Sequence, residues 1–320
     1  MTYRRQYRLP DCTVASGCLQ IYNEYVQPET TNPSSYPDDD PTLGADQTEE
    51  ILDAEMVSVT CPTCALRVVE VDRYYENANH HDFFAATTTA AATLRPAAIN
   101  MSFSWDEDQS MESEGEVYFS ALHGATLTVS SGDAGYVVVN GQPVAGYPAA
   151  SVHALAVGGV FVAKDQNSGA YSGLWGWSGA GAGCSAYLAR PAWQPNFGVC
   201  NGMRAYADVA AVARNVLMYT SYCPPSGNAT CGWTTVQGTS ISSPLIAGMV
   251  GAAAGINRHF GRPAKQFPGA VYANAALFND ITQWSNPTTV PCPWPNICNP
   301  AVGWDGPTGL GLPKGLRAFE

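Results

Sequence analysis

Residues 96–131, PAAINMSFSWDEDQSMESEGEVYFSALHGATLTVSS, read in turn as strand, helix and strand. PAAINMSFSW is a strand-like run, a helical pattern covers about Glu112 to His123, and TLTVSS at 126–131 is a short apolar strand. The alternation continues on both sides. Upstream, a helical pattern from Thr48 to about Val57 leads through CPTC to the strand-like LRVVEV at 66–71 and an Ala/Thr-rich helical stretch to Thr93. Downstream, strands fit at 152–162 and 216–220. Strand alternating with helix predicts an α/β fold: a central parallel sheet with helices on both faces, whose ligands bind beyond the carboxyl ends of the strands.

The first 46 residues read as irregular and end in a polar Pro/Asp/Ser/Thr tract, Pro28 to Gln47, expected to be an exposed loop. At 320 residues the chain holds one large domain or two small ones, with ample material for a buried core. Its 15 basic and 27 acidic side chains give a net charge of −12, which repels phosphate backbones and anionic lipid heads alike and makes nucleic acid a poor candidate partner. No run approaches the ~18 apolar residues of a membrane span; Leu245 to Ile256 comes nearest. MTYRRQYRLP is basic but is followed by no apolar core, so no signal peptide is visible.

Ten cysteines fall into five pairs of near neighbours: Cys12 with Cys18, Cys61 with Cys64, Cys184 with Cys200, Cys223 with Cys231, and Cys292 with Cys298. Local disulfides are the simplest arrangement, although sequence does not fix connectivity, and such usage suits an oxidising, extracellular compartment. A zinc site from Cys61, Cys64, His80 and His81 competes less well, because adjacent histidines lack the usual ligand spacing. The sequons at Asn100 and Asn228 matter only along a eukaryotic secretory route, and Asn100 falls in an expected buried strand.

Three motifs carry chemistry. In GTSISSP at 238–244, followed by LIAGMVGAAAGIN, a Gly allows a tight turn before Ser240 and the helix start offers free N–H groups and a positive field. Ser240 then serves as a nucleophile or as a plain helix cap. In DQTEEILDAEM at 46–56, the helical period places Glu49, Leu52, Asp53 and Met56 on one stripe, with Glu50 and Glu55 pointing elsewhere. Two carboxylates on an inward face titrate as a unit, one with a raised apparent pKa, which makes a usable general base. The competing role is a capping box between Asp46 and Glu49. In VSSGDAGY at 129–136, Asp133 follows a Gly at the end of an apolar strand, where α/β proteins keep active sites, though Asp-Ala-Gly is also an ordinary turn.

In their order and spacing, EEILD, SSGDAG and GTSISSP resemble the sedolisins, the serine-carboxyl peptidases. The similarity extends from about Glu49 to Gly315 through ALAVGGV, WSGAGAGCSAYLARPAWQ, YADVAAVA and GWDGPTGLGLP. The resemblance implies a subtilisin-like fold and a single peptidase domain over 1–320, with an irregular segment at 1–47 and a calcium-binding region at 279–315. It implies Ser240 as nucleophile, Glu49 as general base, Asp53 as the acid that orients Glu49 and shares its proton, and Asp133 as a protonated oxyanion donor. A carboxyl pair works in acid where an imidazole is already protonated, so the implied activity is a secreted, monomeric, acid-acting endopeptidase on protein or peptide substrates. None of His80, His81, His123, His153 and His259 stands in the His-Gly-Thr setting of subtilisins.

The resemblance also implies a calcium site in NDI at 279–281 and AVGWD at 301–305: carboxylates from Asp280 and Asp305, carbonyls from Ile281, Ala301 and Gly303. Ala301 stands where relatives often have Gly. Family precursors commonly carry a large prosegment, whereas about 48 residues precede the catalytic helix here, as expected of a mature form or of a member lacking that part. Trp105 either covers the carboxyl network or packs as a core aromatic. The rival from another class is a catalytically silent secreted binding protein on the same fold.

Overall fold

The computed structural model describes residues 2–28, 44–71, 80–139, 142–165, 167–221, 231–263, 265, 267–283 and 292–320. Cys223, Asn228 and most of the tract from Pro28 to Gln47 lie outside these, and with Cys223 the expected Cys223–Cys231 pairing.

Four parallel strands build the central sheet in the order β3 (Ala98–Met101), β4 (Thr126–Ser130), β5 (Ala154–Lys164) and β7 (Val209–Val212), and β6 (Tyr171–Gly176) adds antiparallel to the far half of β5. Alternation along the strands separates two cores. Leu127, Val129, Ala154 and Ala156 face α3 (His80–Leu94) and α4 (Gln109–Phe119), where Phe84, Ala91, Met111 and Phe119 complete one cluster. Leu155, Val157, Val209 and Ala211 face α5 (Thr239–His259) through Ile246, Val250 and Ala253. The expected α/β architecture with helices on both faces is therefore present.

Helix α2 (Gly44–Thr60), which carries Glu49 and Asp53, lies against α5. The contact needs a small residue: a Cβ on Gly248 would sit 2.1 Å from Thr60 Oγ1, whose hydroxyl donates to the Leu245 carbonyl at 2.8 Å. Among the described residues α5 is long and apolar enough to cross a membrane, beyond the expectation from Leu245 to Ile256, yet more than half of its apolar stretch is inside the protein.

The N-terminal segment departs from the irregular chain expected for it. Thr2–Gln6 forms a short helix, α1, and β1 (Leu19–Tyr22) pairs in parallel with β2 (Leu66–Val69), Leu19 opposite Leu66. A four-residue strand whose partner lies 47 positions away in sequence leaves no local signal. Arg4 locks this segment down: its guanidinium donates to Ser58 Oγ at 2.7 Å and to the carbonyl of Pro10 at 2.6 Å. Disulfides Cys12–Cys18, Cys61–Cys64, Cys184–Cys200 and Cys292–Cys298 form as their spacing suggested, which removes the zinc alternative.

Asp208 of YADVAAVA forms a fully buried ion pair with Arg204, just upstream of that stretch. Arg204 Nη2 meets Asp208 Oδ2 at 2.7 Å, and Asp208 also accepts from the Ala156 N–H at 2.8 Å. The bidentate contact and the backbone donor offset the desolvation of both charges and fix β7 beside β5.

Candidate active site

The strand ends assemble the site. β3 ends at Met101, so Asn100 and Ser102 present side chains on one face at its carboxyl terminus. Asp53, projecting from α2, accepts from both: Asn100 Nδ2 at 2.9 Å and Ser102 Oγ at 2.7 Å. Asn100 Oδ1 in turn accepts from Ser243 Oγ at 2.6 Å, one turn past Ser240 on α5. The strand β3 and the helices α2 and α5 are thus joined by one polar network.

Asp53 is half-buried as a residue, but its carboxyl group is enclosed, and its pKa is held well above the usual carboxylate range. Burial is the largest cause and the nearby Glu49 carboxyl the next, while the donors Ser102 and Asn100 pull the other way without winning. Glu49 precedes Asp53 by one helical turn, close enough for its charge to contribute to that shift.

Glu55 departs from the simple wheel. It points away from the acid pair, as expected, yet it is only 8% exposed and accepts from the Tyr219 N–H at 3.1 Å. Burial pushes its pKa up to about 8. The reason is a second covered face: α2 is flanked by α5 on one side and by α1 and the hairpin of β8 (Arg214–Thr220) and β9 (Gly232–Gln237) on another.

Ser240 occupies the second position of α5, partly buried. Its Oγ lies 3.4 Å from the Ser102 carbonyl oxygen, a long contact that is readily exchanged when a substrate arrives. Gly238 makes the entry turn with φ 152°, and a Cβ there would come within 2.8 Å of Asp133 Oδ2. Asp133, in the exposed turn after β4, accepts at Oδ1 from the Thr239 N–H at 2.8 Å and lies 2.9 Å from Thr239 Oγ1. The acid is thereby oriented by the residue immediately before Ser240.

Four of the side chains singled out from sequence, Glu49, Asp53, Asp133 and Ser240, therefore belong to two elements and one turn that meet at the carboxyl ends of β3 and β4. Asn100, Ser102 and Thr239 were not foreseen as members. The usable signal was the polar Asn-x-Ser alternation at the end of an apolar strand, which also spells a glycosylation sequon.

The histidines lie elsewhere: His80 and His81 face Glu114, His153 faces Glu116, and His259 ends α5. Trp105 packs against Phe83, Phe84 and Phe103, as a core aromatic does.

The second candidate region brings Asp280 and Asp305 against the backbone of 301–308. Asp280 Oδ2 accepts from the Gly303 N–H at 2.8 Å, and Asp305 accepts from Ala301 N–H at 3.0 Å and from Thr308 N–H at 2.9 Å. Asp305 is fully buried, and its pKa is pushed up to about 8, chiefly by that burial and in lesser part by the charge of Asp280. No cluster of three or more His, Cys, Asp or Glu side chains able to hold a metal occurs among the described residues. The oxygens of Asp280 and Asp305 are donors of the kind a hard cation takes.

No family model matches the chain. It is 27% identical over 319 residues to kumamolisin of Bacillus sp. (strain MN-32), covering 94% of this chain and 54% of that protein. It is 28% identical over 236 residues to tripeptidyl-peptidase sed1 of Aspergillus fumigatus, covering 60% of this chain and 35% of that protein. The chain thus spans about half or less of the length of these curated relatives. Among solved structures, a Pseudomonas sedolisin, a serine-carboxyl proteinase complexed with two molecules of pseudo-iodotyrostatin, superposes with a TM-score of 0.76 at 21% identity, over 99% of this chain and 85% of that one.

Proposed function

For a chain that is a kumamolisin-like relative of the sedolisins, we propose a secreted serine-carboxyl endopeptidase that cleaves peptide bonds in acid through an acyl-enzyme on Ser240. The observation that carries this is the short path from the proton-holding acid to the serine: Ser102 donates to Asp53 through its hydroxyl and accepts from Ser240 through its carbonyl.

Glu49 takes the proton from Ser240 as Oγ attacks the scissile carbonyl, and Asp53, whose pKa is raised by burial and by Glu49, orients Glu49 and shares its proton. The oxyanion meets the Ser240 N–H at the positive end of α5 and the side chain of Asp133, whose placement depends on Thr239. Collapse expels the amine, which takes the proton from Glu49. Water then attacks the acyl ester with Glu49 again as base, restoring the free serine. Four disulfides among the described residues support an extracellular setting. The substrates are proteins or peptides, the domain spans 1–320, and the chain acts as a monomer.

The test is digestion of denatured casein across pH, with and without a peptide aldehyde that forms a tetrahedral adduct with the serine. Cleavage peaking well below neutrality and blocked by the aldehyde is expected. A neutral optimum would overturn the carboxyl mechanism, and no cleavage at any pH would favour a silent binding protein.

Calcium belongs to the same proposal. The carboxylates of Asp280 and Asp305 and the carbonyls of Ile281, Ala301 and Gly303 would hold the ion, which neutralises two acids that otherwise crowd one loop. Its role there is structural, tying the segment after α5 to the C-terminal turn. Chelation is expected to lower the unfolding temperature by about 5 °C, given roughly 2 to 3 kcal/mol for an ion present at ~100 times its Kd. Differential scanning calorimetry with EGTA checks it; Asp280→Asn should unfold at the chelated temperature whether or not calcium is added.

A further inference from the structure

A second pair of acids, outside the network around Asp53, meets no ordinary partner. Glu112, in the first turn of α4, is 1% exposed, and neither of its carboxyl oxygens meets a hydrogen-bond donor among the described residues. Glu107, just ahead of α4, accepts at Oε2 from the Ala186 N–H at 2.8 Å, in the strand Gly183–Ala189, while its Oε1 is buried with no donor. The two carboxyl groups lie within hydrogen-bonding reach of each other. As two carboxylates they would only repel; a single proton between them turns the contact into a hydrogen bond and satisfies an oxygen on each side.

An acid in the first turn of a helix is ordinarily explained by the free N–H groups there. Here those groups are taken. Asp108 caps α4 by accepting from the Ser110 and Met111 N–H, and the Glu112 N–H donates to the Asp108 carbonyl at 2.9 Å. The charges that bear most on Glu112 are Glu107, Glu116 and Asp108, all of its own sign. From the neighbouring elements, Tyr147 Oη donates to Glu116 at 3.1 Å, His153 Nε2 lies 3.7 Å from the same carboxylate, and Tyr206 Oη accepts from the Gly146 N–H at 2.8 Å. On α3, His80 and His81 face Glu114. A Cβ on Gly115 would collide with the Tyr147 hydroxyl, so α4 is packed here without slack.

We propose that Glu107 and Glu112 share one proton and form a latch, which in acid holds the segment after β3 against α4 and the strand Gly183–Ala189, and which weakens as the pH rises. That segment begins with Ser102, the donor to Asp53, and Glu107 fixes its far end through the Ala186 and Ala145 contacts. Burial first, and Glu107 second, lift the Glu112 pKa from 4.5 to about 9. Because the folded value exceeds the unfolded one, the contribution of the latch is whole below about 4.5 and is lost progressively up to about 9.

Thermal melts of wild type and Glu112→Gln from pH 4 to 8 test this on the whole chain, without recourse to peptidase activity. The amide donates to Glu107 at every pH and never ionises. Its unfolding temperature should match wild type at pH 4 and exceed it by about 5 °C at pH 8. Glu107→Gln, which removes the like charge and offers an N–H from the other side, should show a smaller gain that also grows with pH, and it serves if Glu112→Gln does not fold. In the infrared, wild type at pH 7 should carry a protonated-carboxyl band that is diminished in Glu112→Gln. A difference in unfolding temperature that does not grow with pH in either variant, or an undiminished band, would overturn the latch.

Discussion

Ser240→Ala is expected to lower kcat on a peptide substrate by about 10⁶-fold while leaving the unfolding temperature within a degree or two, by analogy with the loss of a serine nucleophile in another peptidase. The size follows from what the hydroxyl does. Without Oγ no acyl-enzyme forms, and the remaining rate, roughly 10³ to 10⁴ over water, comes only from substrate positioning and from the oxyanion donors at Thr239–Ser240 and Asp133. The substitution is mild for the fold: the side chain is partly buried, and the hydroxyl makes one long contact with the Ser102 carbonyl. Steady-state kinetics with calorimetry checks both halves, and the peptide aldehyde should no longer bind tightly to the variant. Retained turnover would remove Ser240 from the chemistry and leave it as a helix-start residue.

How far the site could be read from sequence follows the range of the interactions. The acid pair is local: Glu49 and Asp53 are one helical turn apart, so helical period alone aligns them. The serine motif is local too, since Gly238, Ser240 and the small-residue helix follow one another directly. The alternation of strand and helix also survives without tertiary information, because the buried parallel strands read as short apolar runs and the helices between them as longer stretches, each within its own window. The partners that hold the acids in place are not local. Asn100 and Ser102 reach Asp53 across about 50 positions, and Thr239 reaches Asp133 across 106. The same limit hides β1, which pairs with β2 only after the chain has passed through α2. Glu55 fails for a related reason: a wheel separates one face from its opposite, and α2 is covered on more than one face.

The network around Asp53 makes its own prediction, with two readouts of opposite sign. Asp53→Asn keeps the shape of the side chain and one acceptor for Ser102 or Asn100, but cannot share a proton with Glu49. A base deprived of its orienting acid is expected to lose about 10⁴ in kcat, the scale measured when the third member of a catalytic triad is replaced by its amide. Stability should move the other way. The folded pKa of Asp53 is raised above its unfolded value, so the protonated carboxyl is the form that suits the fold: its contribution is complete below the unfolded pKa and is lost as pH climbs through the folded one. Asparagine mimics the protonated acid at every pH. The variant should therefore unfold near the wild-type temperature at pH 3 and above it as the solution approaches neutrality. Thermal melts of both proteins from pH 3 to 7, alongside kcat, separate this from simple damage to the site, which would lower activity and stability together. A variant that is less stable than wild type across that whole range would mean that Asp53 is ionised in the folded protein, and the proton shared with Glu49 would have to be abandoned.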